Sequence, residues 1–128
     1  MNLNFKKISI IGLGLIGTSI LHAIKNKEED EVITFAYDIN PNHREIVMQL
    51  KIASFVCDDI QDAVSEADLV ILAVPVGAMK KVASLVAPFL KNNTIVTDTG
   101  STKGSVISDV SPYLSNNVYF IPSHPLAG

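Results

Sequence analysis

Short apolar runs alternate with stretches of helical spacing along the whole chain. Lys7–Ile11 is apolar and ends in glycine, the pattern of a buried strand. Leu15–Lys25 carries Ile16, Ile20, Ala23 and Ile24 at helical spacing. Polar Asn26–Glu31 reads as a loop and Val32–Tyr37 as a second strand. Asn40-Pro41 opens a helix to about Leu50, because asparagine caps and proline suits the first helical position. Phe55–Cys57 is a short strand, and Asp58 or Asp59 caps a short helix over Ile60–Glu66. Leu69–Val74 is the most apolar run, β-branched and stopped by Pro75, which predicts a central strand. The pattern then gives a helix over Gly77–Leu90, with Pro88 tolerated only near its end. A strand over Thr94–Asp98, a helix over Lys103–Leu114 and a strand over Val118–Ile121 complete it.

Strands that alternate with helices across short loops predict an α/β fold with a mostly parallel sheet and helices on both faces. Right-handed crossovers leave few topologies. The Rossmann-type doubly wound order 3-2-1-4-5-6 fits six strands. At 128 residues the chain is expected to form a single domain. No repeat, linker or low-complexity tract interrupts it.

Composition sharpens this picture. The chain is 48% apolar and 18% charged, enough for a packed core, which excludes disorder. Its mean hydropathy of +0.33 is high for a soluble chain. A parallel sheet covered on both faces accounts for that, and so does a surface that expects a partner domain. The net charge of −3, with no basic block, argues against nucleic acid. The single cysteine, Cys57, reads as a small apolar residue. His22, His43 and His124 lie too far apart for metal-ligand spacing, so no metal is expected. Lys6–Ile16 superficially resembles a signal peptide, but it contains Gly12 and Gly14 and no cleavage site follows. No apolar stretch reaches about 18 residues. The expected setting is the cytoplasm, with no membrane partner.

The candidate chemistry lies at the carboxyl ends of the expected strands. Gly12-Leu13-Gly14-Leu15-Ile16-Gly17 is G-x-G-x-x-G, and it leaves a strand and enters a helix. In a dinucleotide site Gly12 allows the tight turn, Gly14 lets the backbone approach the pyrophosphate, and Gly17 lets helix and strand pack closely. The phosphates then sit on the helix N-terminus. Without that context the motif would be an ordinary glycine turn. Asp38 ends the second strand, twenty-one residues after Gly17. It would accept hydrogen bonds from the adenosine ribose and repel a 2′-phosphate, which selects NAD over NADP. Arg44 is the one nearby cation, and its place inside the next helix suggests a surface role. Val74-Pro75-Val76 follows the fourth strand and would border the nicotinamide ribose, unless the proline simply ends the strand.

Two further segments reach the same side. Asp98-Thr-Gly100-Ser101-Thr-Lys103-Gly104 ends the fifth strand and opens a helix, with Asp98 and Gly100 near the cofactor. Ser101 offers a hydroxyl and Lys103 a positive charge; helix capping is the plain alternative. His124 follows the sixth strand and precedes Pro125. A histidine there suits a general base working near neutral pH.

Taken together, Ile11–Gly17, Leu72–Val76, Asp98–Gly104 and His124–Gly128 resemble the prephenate dehydrogenase family, which includes the arogenate and cyclohexadienyl dehydrogenases of tyrosine biosynthesis. The resemblance implies oxidative decarboxylation of prephenate to 4-hydroxyphenylpyruvate with NAD as cofactor. It assigns to His124 the proton of the ring hydroxyl, taken as hydride leaves for NAD, and to Ser101 a hydrogen bond beside that hydroxyl. Thr18, Thr102 and Leu126 stand where the family often has glycine, valine and methionine. Family members continue into a helical domain that supplies dimer contacts and cations for the substrate carboxylates. The chain alone is therefore expected to bind NAD and to turn over prephenate or arogenate poorly. Two other readings compete. One is the NAD domain of a β-hydroxyacid dehydrogenase or imine reductase, which does not need His124. The other is a non-catalytic NAD-sensing module, which needs only the phosphate loop and Asp38.

Overall fold

The computed structural model describes residues 5–27, 32–99 and 109–122. Six parallel strands form one sheet in the order β3-β2-β1-β4-β5-β6, as the alternating pattern predicts. The strands are β1 Lys7–Ile11, β2 Ile33–Tyr37, β3 Phe55–Val56, β4 Leu69–Leu72, β5 Ile95–Asp98 and β6 Tyr119–Phe120. The helices are α1 Leu15–Asn26, α2 Pro41–Leu50, α3 Ile60–Val64 and α4 Val76–Val86.

Local chemistry sets most boundaries. Asn40 caps α2 through its side chain, which accepts from Asn42 N–H at 2.9 Å, with Pro41 behind it. Asp59, rather than Asp58, caps α3 by accepting from Gln61 N–H at 2.7 Å. Strand β4 stops at Leu72, two residues earlier than expected. Ala73 still donates to Ile11 at 2.7 Å, but Pro75 has no N–H to continue a ladder. Helix α4 ends at Val86 and passes into a 3₁₀ turn over Ala87–Phe89, because Pro88 cannot donate. Of the helix expected over Lys103–Leu114, only the end is described. Asp109 and Val110 are helical and lead to a 3₁₀ turn over Ser111–Tyr113.

The central strand alternates between two cores. Ile10 faces Leu13, Leu21, Val47 and Ile52 under α1 and α2. Ile11 faces Val70, Leu72, Met79 and Val96 under α3 and α4. Both faces are covered, which accounts for the high hydropathy of the strands. Among the described residues no helix is long and apolar enough to cross a membrane.

Among the described residues, one buried polar side-chain atom in this core has no partner. Ser9, in the middle of β1, is fully buried and its hydroxyl makes no hydrogen bond. A buried unpaired hydroxyl costs about 1–3 kcal/mol. Ser9→Ala is therefore expected to leave stability unchanged or raise it by about 1 kcal/mol, read as a higher urea midpoint at constant slope. A drop of similar size would mean that the hydroxyl is satisfied in solution.

Candidate nucleotide site

The chain turns sharply between β1 and α1. Gly12 has φ +105°, a conformation that side chains avoid, and a Cβ there would stand 2.4 Å from the Ala73 carbonyl oxygen. Its N–H donates to the Tyr37 carbonyl at 2.8 Å, which ties the turn to β2. Gly17 is buried against the turn, and its Cβ would stand 1.9 Å from the Gly12 oxygen. Gly14 differs from both. An added Cβ would meet no atom of the described residues within 4 Å. The fold itself requires glycine at 12 and 17 but not at 14.

Helix α1 begins there with its donors exposed. Among the described residues no side chain caps it, and its first turn carries no acidic residue. Its leading N–H groups and the positive end of its dipole face outward, the arrangement that holds an anion. Leu15 and Ile16 are 86% and 54% exposed beside it, while Leu13 packs its side chain inward. Thr18 donates its hydroxyl to the Leu13 carbonyl at 3.3 Å, so the hydroxyl turns back onto the loop.

Asp38 closes the other side. Its Oδ2 accepts from Leu13 N–H at 2.7 Å and lies 3.0 Å from His43 Nδ1. Its Oδ1 accepts from Asn40 N–H at 2.8 Å. Burial alone would raise this carboxyl's pKa. The hydrogen bonds from Asn40, Leu13 and His43 outweigh that and hold it below the usual carboxylate range. Asp38 is thus an ionised acceptor at neutral pH.

Arg44 does not take the surface role expected of it. Its side chain is 19% exposed, and its guanidinium donates to the Asp38 carbonyl at 2.7 Å and lies over the Tyr37 ring. The guanidinium is held by the β2 end, because the first turn of α2 folds back over that strand.

Two cavities flank the α1 N-terminus. One, of about 510 Å³, is lined by Gly12, Gly14, Asp38, Ile39, His43 and Lys81, among others, and its walls are mostly apolar. The second, of about 460 Å³, is lined by Gly14, Leu15, Ile16, Val74, Val76 and Thr99, among others. Gly14, Ala73, Val74 and Pro75 border both. The result is a trough across the carboxyl ends of β2, β1, β4 and β5, with the N-terminus of α1 at its neck. That shape matches two nucleosides joined by a pyrophosphate. The glycine at 14, which packing does not require, leaves room at the neck.

The structure thus brings Gly12, Gly14, Leu15, Ile16, Asp38, Val74, Pro75 and Val76 together on one trough. Gly17 and the Leu13 side chain support it from behind. Asp98 is buried at the end of β5 and lines neither cavity, whereas its neighbour Thr99 lines the second. Gly100, Ser101, Lys103 and His124 lie outside the described residues. The hydrophobic pattern does not single out His43, Ile39 or Lys81. For His43 the one available signal is its place in the first turn of α2, five residues past Asp38. Among the described residues no cluster of histidine, cysteine and carboxylate side chains could hold a metal.

A family model described as "Prephenate dehydrogenase, nucleotide-binding domain" matches residues 21–128. The chain belongs to this family. The match begins beyond the glycine turn, which stands on the geometry above. The chain is 50% identical over 124 residues to a cyclohexadienyl dehydrogenase of Zymomonas mobilis, covering 97% of this chain and 42% of that protein. It is 36% identical over 128 residues to a prephenate dehydrogenase of Lactococcus lactis, covering 96% of this chain and 34% of that one. The chain therefore spans less than half the length of these curated relatives. A crystal structure of the A. aeolicus prephenate dehydrogenase with hydroxyphenyl propionate and NAD+ superposes with a TM-score of 0.83 at 27% identity. That superposition covers all of this chain and 44% of the A. aeolicus chain. Among the readings open at the level of sequence, the prephenate dehydrogenase domain is the one that these matches support over the β-hydroxyacid dehydrogenase.

Proposed function

We propose that this prephenate dehydrogenase domain binds NAD in the trough and serves the oxidative decarboxylation of prephenate to 4-hydroxyphenylpyruvate, a small-molecule reaction of the cytoplasm. The observation that carries the reading is the uncapped α1 N-terminus with open space at Gly14, set between two cavities and facing Asp38. The exposed N–H groups of α1 hold the pyrophosphate. Asp38 accepts from the adenosine ribose hydroxyls, with Ile39 and the apolar face of α4 against the base. Val74, Pro75 and Thr99 border the second nucleoside and keep water from it. Bound there, NAD supplies the hydride acceptor.

On this reading His124 accepts the proton of the substrate's ring hydroxyl and Ser101 hydrogen-bonds beside it. A well-placed base contributes about 10²–10⁴-fold. Loss of carbon dioxide then leaves an aromatic ring, which makes the step strongly downhill. The two carboxylates of prephenate need charged, oriented partners. Lys103 cannot supply both, so the 128-residue chain by itself is expected to turn over prephenate poorly.

The test is a fluorescence titration of the chain with NADH and, in parallel, NADPH. NADH is expected to saturate the signal, and NADPH to bind at least about tenfold more weakly, a difference of about 1.4 kcal/mol. Tighter binding of NADPH would overturn the role given to Asp38. Failure of both to bind would overturn the nucleotide reading.

A further inference from the structure

The end of β2 presents a pair of side chains rather than a lone aspartate. An ionised carboxylate offers about four lone-pair positions. At Asp38 three are engaged. Asn40 N–H takes one on Oδ1, while Leu13 N–H and His43 Nδ1 share Oδ2. The two backbone donors belong to the turn and to the start of α2, so they stay in place. A ribose diol that hydrogen-bonds to this carboxylate needs two positions, and only one is open. The second is the one that His43 holds.

His43 can yield it. Its side chain is 42% exposed and lines the larger cavity beside Asp38. Arg44, by contrast, is committed to the Asp38 carbonyl and the Tyr37 ring, and its Nε lies 3.7 Å from Asp58. Lys81 lines the same cavity from α4. Whatever side chain stands at position 43 therefore sits at contact distance from a ribose hydroxyl on Asp38, and from any phosphate carried by that hydroxyl.

We infer that His43 is a specificity-determining residue. It is the exchangeable partner of Asp38 that the ribose displaces, and the charge at this position sets how strongly the domain discriminates a 2′-hydroxyl from a 2′-phosphate. This rests on the nucleotide reading above. It differs from an assignment of selectivity to Asp38 alone, which predicts no dependence on residue 43.

The test is a charge series, His43→Gln, His43→Lys and His43→Glu, each titrated with NADH and NADPH at one pH and ionic strength. Position 43 is partly exposed on the first turn of α2, and circular dichroism checks that each variant is folded. Relative to His43→Gln, a lysine is expected to improve NADPH over NADH by about tenfold, and a glutamate to worsen it by a similar factor. A structural role for His43 would move both affinities together and leave their ratio alone. A ratio constant within about twofold across the series, with NADH still bound, overturns the inference and leaves the nucleotide reading intact. If His43→Glu does not fold, the lysine and glutamine pair still decides the matter. Absence of NADH binding by the unmodified chain overturns the nucleotide reading itself, and this inference with it.

Discussion

Gly14→Ala is expected to weaken NADH binding at least about tenfold, or 1.4 kcal/mol, while leaving the fold intact. Gly14 has φ −77° and ψ −157°, extended backbone that alanine can adopt. Its Cβ would meet no atom of the described residues within 4 Å, so the turn accommodates the methyl group. A small loss of stability is expected, because alanine is a poorer N-cap than glycine. The methyl group would instead stand at the neck of the trough, where a pyrophosphate must approach the backbone. The measurement is an NADH titration paired with thermal unfolding of the same sample. Unchanged affinity with unchanged stability would show that the phosphates do not pass over residue 14. A large loss of stability would show that the space there is filled in solution.

Gly17→Ala is expected to do the opposite, and to unfold or severely destabilise the domain. Its Cβ would lie 1.9 Å from the Gly12 oxygen and 3.0 Å from the Gly12 carbonyl carbon. These are backbone atoms of a turn already fixed by φ +105° at Gly12 and by its bond to Tyr37. Overpacking typically costs about 1–3 kcal/mol where side chains can shift. Here α1 would have to move away from β1, so about 3 kcal/mol or more is expected. That is a large share of the ~5–15 kcal/mol that holds a domain of this kind together. Equilibrium urea unfolding, with far-ultraviolet circular dichroism as the signal, measures it. A midpoint equal to that of the unmodified chain would mean that the helix-to-strand contact is looser than the geometry requires. In the same motif, then, packing requires one glycine, while the other is the one that the proposed nucleotide site uses.

Much of this architecture is written locally. Strand and helix positions follow from apolar spacing; Asn40 and Asp59 mark boundaries through bonds made two residues along, and Pro75 through the N–H it lacks. The order of the six strands follows because right-handed crossovers exclude most alternatives. Boundaries that depend on neighbours were less legible. β4 ends at Leu72 rather than Val74, since the partner strand turns away at Gly12 and Pro75 lacks an N–H to extend the ladder. The role of Arg44 was also hidden. Nothing in its local sequence shows that α2 lays the guanidinium over Tyr37 and the Asp38 carbonyl.

The sequence by itself determined the class of fold, the glycine turn and the acidic residue that faces it, because each depends on backbone freedom, periodicity or a short fixed spacing. Only the tertiary structure decided which glycine is required by packing, that Leu13 and His43 share one oxygen of Asp38, and that two cavities join at Gly14. Those facts concern atoms that separate strand-and-helix units bring together. Their distances are set by how the helices settle on the sheet, and no local pattern in the chain encodes them.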